Sequence, residues 1–141
     1  MTATQLLLLP AFAHVALIFV TVGRMGAGRV VAVRGGEVRL KDVALDSSRW
    51  PERLRKLGNN YGSQFEMPVL YYAALALILT TGLADVVQIV LSWAFIATRF
   101  VHSFIHTGSN VVVRRFYAFL AGGACIALMW LWLGLRLYVT G

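Results

Sequence analysis

Four polar side chains share one face of a predicted helix within the stretch ATRFVHSFIHTGSN: Arg99, His102, His106 and Asn110. Their spacing of i, i+3, i+7 and i+11 places them on the same side of an α-helix. The residues before them are apolar from Val86 onward. A charged side chain at the bilayer centre costs about 2.5–3.5 kcal/mol on insertion scales, so an ionisable face in such a helix indicates a functional site.

The arginine of this face needs an acidic partner if the helix lies in lipid. Glu66, in SQFEMPVLYY, is the only acid that enters the apolar part of another predicted helix. Asp85 is a weaker candidate because it lies in the short turn TTGLAD. We therefore predict an Arg99–Glu66 pair. Because Arg99 lies about 12 Å inside the end of its helix, its side chain should reach toward the interface. The alternative is a purely structural ion pair that fixes helix register.

The two histidines are spaced i, i+4, so they present two imidazoles on one helix face. A zinc or iron site would need a third and a fourth ligand. Glu66 and His14 are the only obvious ones, and we expect His14 nearer the opposite membrane surface, so no metal site is predicted. The structural alternative for His102 and His106 is a pair of neutral imidazoles bonded to neighbouring helices. The structural alternative for Asn110 is that it caps the end of its helix.

The elements that carry these residues are predicted to be transmembrane helices. The chain has 141 residues, of which 59% are hydrophobic and 13% charged, whereas soluble domains carry about a quarter charged residues. Its apolar stretches are each near the ~20 residues that span hydrocarbon. We predict an all-α integral membrane protein, a four-helix bundle in one domain over residues 1–141. Its helices lie at about 5–23, 63–83, 86–108 and 115–139.

The first apolar stretch is predicted to be a retained helix. TQLLLLPAFA contains a small-x-small site typical of signal-peptide cleavage. A basic region before it is missing, however, and the apolar run continues beyond the site, which favours a transmembrane helix.

The loop 24–62 holds nine of the 13 basic residues and four of the six acids. Under the positive-inside rule it is a cytoplasmic loop, which places both termini on the other side. The net charge of +7 therefore reflects membrane topology, and no nucleic-acid partner is expected. Within the loop, GRVVAVRGGEVRLKDV is compatible with a small β-hairpin or with an irregular loop. Ser48 is predicted to cap a short helix starting at Trp50 and Pro51.

Two segments resemble the MAPEG family, the membrane-associated proteins of eicosanoid and glutathione metabolism. QFEMPVLYYAALAL is similar to its helix-two signature, in which a glutamate precedes an apolar-proline run. RFVHSFIH, followed by Asn110, Arg114 and Arg115, is similar to its helix-three signature and the next loop. The resemblance covers residues 5–140. It implies a bacterial-type member in the inner membrane, assembled as a homotrimer.

Family resemblance also implies a chemistry. Glutathione, as co-substrate, would bind between neighbouring subunits near the cytoplasmic side, and its thiolate would attack a hydrophobic small molecule arriving from the lipid. The implied catalytic residue is Arg115, or Arg114 if the loop is counted differently, because a nearby cation lowers the pKa of a thiol from about 8.5. The implied ligand-binding residues are Glu66, Arg99, His102, His106, Asn110 and Asn60.

Some positions depart from the family pattern. The characterised enzymes have an arginine one to two turns before the helix-two glutamate and an asparagine at i−3. This chain has Asn59 and Asn60 in the first region and Ser63 at i−3. His106 stands where the enzymes commonly have tyrosine. The expected function is a glutathione-dependent transferase or peroxidase. The alternative is a non-catalytic protein of the same fold that binds lipid or an anionic ligand. A small transporter is less favoured, because the sequence has no internal repeats of the kind typical of that class.

Overall fold

A computed structural model describes residues 1–139 of the chain, and within them every regular element is helical. The helices are α1 (Ala3–Arg34), α2 (Leu40–Val43), α3 (Glu52–Ser63), α4 (Pro68–Thr81), α5 (Val86–Thr107) and α6 (Val112–Tyr138). Four segments are long and apolar enough to cross a membrane: α1, Glu52–Thr81, α5 and α6. The predicted four-span, all-α membrane bundle is confirmed.

The first helix is longer than predicted, because it ends at Arg34 rather than near residue 23. Its 32 residues give a length of about 48 Å, which exceeds the ~30 Å hydrocarbon thickness. Residues 29–34 belong to this helix, so they form neither the β-hairpin nor the irregular loop considered from the sequence. The helix continues through the glycines because α3 packs on it. A Cβ at Gly28 would lie 2.5 Å from Leu54 Cδ2, so Leu54 packs directly on the glycine and would have to shift if a side chain stood there.

The segment between α1 and α4 has more helix than the sequence predicted. Asp46, and not Ser48, caps a short 3₁₀ turn at Ser47–Arg49, since its side chain accepts a hydrogen bond from Ser48 N at 3.0 Å. Helix α3 begins directly after Pro51 and has no side-chain cap. A turn over residues 64–67 then leads into α4, which Pro68 starts at a position where a missing N–H costs nothing.

The core lies where α4 and α5 pack against α1 and α6. Tyr71, Phe95, Ile78 and Met129 are fully buried there, and the Tyr71 hydroxyl bonds Ser92 Oγ at 2.7 Å. Helices α5 and α6 approach closely at Gly122, where a Cβ would lie 2.8 Å from Thr98 Oγ1. We call the end of the bundle formed by the α1 C-terminus, residues 35–51 and the turn 108–111 the loop end.

Candidate functional site

The Arg99 guanidinium is buried and bonded to the turn between α3 and α4. It is 2% exposed, and its Nη2 donates to the Ser63 carbonyl at 2.9 Å and to Gln64 Oε1 at 3.2 Å. Its Nε also donates to Gln64 Oε1, at 3.4 Å. All these acceptors are uncharged, so the arginine is satisfied by neutral groups inside the bundle.

The predicted pairing of Arg99 with Glu66 is wrong. Within residues 1–139 no ion pair joins the two side chains, and Glu66 is exposed. The physical reason is the geometry of the turn: the chain leaves α3 at Gln64, whose amide faces inward, and Glu66 faces outward two residues later. The other acid considered, Asp85, pairs with Arg136 at 2.8 Å and with Trp132 Nε1.

Gln64 is the centre of a buried polar network that the sequence analysis missed. Its Oε1 also bonds His14 Nε2 at 3.0 Å, and its Nε2 donates to Asn60 Oδ1 at 3.2 Å. His14 in turn bonds the Tyr72 hydroxyl at 2.9 Å. The expectation that His14 lies nearer the opposite surface is therefore wrong. His14 is about 17 Å from the start of α1, and the second span includes α3, so Gln64 lies inside the bundle at the level of His14.

Asn60 belongs to this network rather than to an open surface. It is fully buried, and its Nδ2 donates to Ser103 Oγ at 2.7 Å, which ties α3 to α5. The sequence contained a signal for this bond, the spacing of Asn60 and Gln64. Two amide side chains four residues apart lie on one face of a helix and can bond each other.

The two histidines lie on the buried face of α5, as their spacing predicted. Arg99 Nη1 lies 3.4 Å from His102 Nδ1. A guanidinium only donates, so Nδ1 must accept and the ring proton is assigned to Nε2. That Nε2 is buried with no hydrogen-bond partner among residues 1–139, and the same holds for His106 Nδ1. Two buried imidazole nitrogens are thus left without a hydrogen-bond partner in this part of the chain.

An open groove collects four of the eight site residues proposed from sequence. It has a volume of about 450 Å³, and its lining includes Glu66, His102, His106, Arg115 and Phe119 together with residues of α3. The groove therefore combines one carboxylate, one guanidinium, two imidazoles and an aromatic ring. Such a set can hold a small ligand that carries both signs of charge and an apolar part.

Arg115 is oriented toward this groove by the turn before α6. Asn110 has a left-handed backbone, φ 50°, and its N–H donates to the Ile105 carbonyl at 2.7 Å, so it closes the end of α5 as expected. Its Oδ1 accepts a bond of 2.6 Å from Arg115 Nη1. Arg114 is exposed and does not belong to the groove lining. The structure thus places Arg115 in the groove lining and Arg114 outside it, whereas the sequence allowed either arginine at this position.

These features define a helical membrane bundle with a polar groove at one end. The sequence model of the MAPEG family matches residues 7–135. The chain belongs to the MAPEG family. No match was found among curated proteins or among solved structures.

Proposed function

We propose that this MAPEG protein binds glutathione in the groove of Glu66, His102, His106 and Arg115 and acts as a membrane transferase or peroxidase. Glutathione carries an ammonium, two carboxylates and a thiol. Glu66 supplies a carboxylate for the ammonium, and His102 Nε2–H supplies a donor for an anionic oxygen. Arg115 lies beside the thiol and favours its thiolate form.

The observation that carries the proposal is that Arg115 lines the same groove as His102 and His106, each of which has one buried nitrogen without a hydrogen-bond partner in residues 1–139. A buried polar atom without a partner costs about 1–3 kcal/mol, and a ligand with matching groups removes that cost. Arg99 contributes from behind, since its charge and that of Arg115 attract an anion to the groove, with Glu66 as the opposing charge. The role of Asn110 is to hold Arg115.

The reaction follows from the thiolate. It attacks an electrophilic carbon of an apolar molecule, a carbon–sulfur bond forms, and the leaving group departs with the bond electrons. With a lipid hydroperoxide, two glutathione molecules become a disulfide while the hydroperoxide becomes an alcohol and water. Phe119 gives the groove an apolar wall for such a substrate. The proposal includes a homotrimer in a bacterial inner membrane, with the loop end in the cytoplasm.

Purified protein in detergent tests this function. We expect conjugation of chlorodinitrobenzene, reduction of cumene hydroperoxide, or both, together with a thermal shift at millimolar glutathione. Arg115→Ala should lose turnover, and Arg114→Ala, which removes the same charge outside the groove, should keep it. No turnover and no thermal shift would remove the glutathione proposal and leave the fold unaffected.

One observation favours a second candidate, binding without catalysis. Arg99 is fully engaged by Ser63, Gln64 and His102, so it is not free to clamp a ligand carboxylate. If glutathione shifts the unfolding temperature but no acceptor is conjugated or reduced, the groove is a binding site for an anionic ligand.

A further inference from the structure

A second cleft lies at the loop end, on the other side of α3 from the groove. It has a volume of about 740 Å³ and is bounded by α1, the 3₁₀ turn, α3 and the turn before α6. Three basic residues line it, Arg29, Arg55 and Lys56, against one acid, Glu52. The two cavities share only Gly58 and Asn59. Of the residues that line the second cleft, the glutathione proposal uses Asn110 alone, as the acceptor that holds Arg115.

Arg29 is held in place but is not satisfied. Its guanidinium carbon lies 4.9 Å from the centroid of the Trp50 ring, which is cation–π geometry. Its Nε is buried and has no hydrogen-bond partner in the described part of the chain. A buried charged donor without an acceptor is unfavourable, so the arrangement indicates an acceptor that arrives from outside the chain.

The charges of the cleft are unbalanced. Glu52 Oε1 lies 2.9 Å from Lys56 Nζ, so these two charges compensate each other. Arg29 and Arg55 remain, and no carboxylate lies within ion-pair distance of either in residues 1–139. Two guanidiniums around one cavity are suited to a group with several anionic oxygens, because each guanidinium can donate two parallel bonds.

We propose that this cleft binds a phosphate group, carried by an anionic phospholipid headgroup or by a soluble phosphate compound. Phosphate offers at least two oxygens that share negative charge to the guanidiniums of Arg29 and Arg55, both of which line the cleft. Trp50 sits on Arg29 beside the cleft, and tryptophan is enriched at the headgroup level of membranes. Basic segments next to membrane spans also attract anionic lipids. This inference does not depend on glutathione binding in the groove.

Native mass spectrometry of the full-length protein in detergent tests the proposal, with phosphatidic acid and inorganic phosphate as separate probes. We expect phosphatidic acid to remain bound to the wild type. Arg29→Ala should weaken that binding by about tenfold, the effect of losing a charged hydrogen bond. Arg34→Ala, which removes an exposed charge from the same helix outside the cleft, should change it less than about twofold.

The outcomes separate the sources and the two proposals. If phosphatidic acid stays bound when inorganic phosphate is added, the ligand is a lipid headgroup. If inorganic phosphate displaces it fully, the ligand is a soluble phosphate compound. Both results support the site. Equal losses in Arg29→Ala and Arg34→Ala, or no binding of either probe, overturn it. If Arg29→Ala does not elute as folded protein, Arg55→Ala tests the same cleft, with weakening of up to about fivefold expected and unchanged binding contradicting the proposal. Glutathione binding should persist in these variants, so failure of one site is distinguishable from failure of the other.

Discussion

The side-chain oxygen of Gln64 accepts two hydrogen bonds from Arg99, one from Nε at 3.4 Å and one from Nη2 at 3.2 Å. An amide thus occupies the place where an acid was expected. The guanidinium keeps its hydrogen bonds, but none of its bonded partners carries a charge. Glu66, which lines the groove, still lies near enough to interact electrostatically with Arg99.

Replacing Gln64 should destabilise the fold. Gln64→Leu leaves Arg99 Nε and His14 Nε2 without their shared acceptor, both inside the bundle. We expect a loss of about 1–3 kcal/mol in the free energy of unfolding, measured by thermal or denaturant unfolding in detergent. Glu66→Gln is the control, because Glu66 is exposed and unpaired with Arg99; its effect should stay below about 0.5 kcal/mol. Equal losses in both variants would show that Arg99 does depend on Glu66.

Gly122 is predicted to be intolerant of a methyl group. A Cβ there would lie 2.8 Å from Thr98 Oγ1 and 3.5 Å from the Phe95 ring, so in Gly122→Ala either Thr98 gives up its hydrogen bond to the Phe95 carbonyl or α5 and α6 move apart. The expected cost is about 1–3 kcal/mol of overpacking. Gly134→Ala on the same helix meets nothing within 4 Å and should be neutral or stabilising, since alanine favours helix over glycine. A less stable Gly134→Ala than Gly122→Ala in the same unfolding assay contradicts the close packing.

Asn110 should affect catalysis through Arg115. Asn110→Gly tolerates the left-handed backbone but removes the oxygen that bonds Arg115 Nη1 at 2.6 Å. Since a hydrogen bond to a charged group contributes about 1.5–3 kcal/mol, we expect kcat/KM for glutathione conjugation to fall by about tenfold or more. Stability should change little. An unchanged kcat/KM in a folded variant would mean that Arg115 needs no support from Asn110.

The loop carries one pair whose pH dependence can be checked. Arg53 donates to both carboxylate oxygens of Glu37, and this hydrogen bonding lowers the pKa of Glu37 below its ordinary value of 4.5. A depressed carboxyl pKa stabilises the fold above the unfolded value and loses that effect as the pH falls through the folded value. NMR titration of Glu37 should therefore give a higher midpoint in Arg53→Ala than in the wild type.

Arg49→Ala serves as the control for that titration, because Arg49 pairs with Asp46 instead. It should leave the Glu37 midpoint where it is. Identical midpoints in the wild type and Arg53→Ala would show that the pair does not form in solution.

The spans and the polar face of α5 could be predicted from the sequence, because each depends on a local pattern. Long apolar runs specify the helices, and the i, i+3, i+7 spacing puts Arg99, His102 and His106 on the buried side. The asparagine at the end of α5 could be predicted from its tolerance of a left-handed backbone. Which of Arg114 and Arg115 faces the groove could not be predicted, since it depends on where α6 begins.

The errors arose where tertiary packing overrides local signals. Arg24, Gly26 and Gly28 look like the start of a loop, yet α3 packs on that stretch and keeps it helical. Because the second span begins at Glu52 rather than near residue 63, Gln64 lies inside the bundle and bonds His14. The partner of Arg99 was chosen by charge alone, but the inward direction of Gln64 is set by the turn between α3 and α4. If amide side chains near Glu66 had been considered as partners of Arg99, Gln64 would have been among the candidates.

We propose that glutathione binds as a thiolate beside Arg115, and ultraviolet difference spectroscopy measures this directly. Titrating the purified protein with glutathione near neutral pH should produce the thiolate absorbance band, because the adjacent cation lowers the thiol pKa from about 8.5. The band should disappear in Arg115→Ala and persist in Arg114→Ala. A wild-type protein without the band, or an Arg115→Ala variant that keeps it in full, would contradict the account.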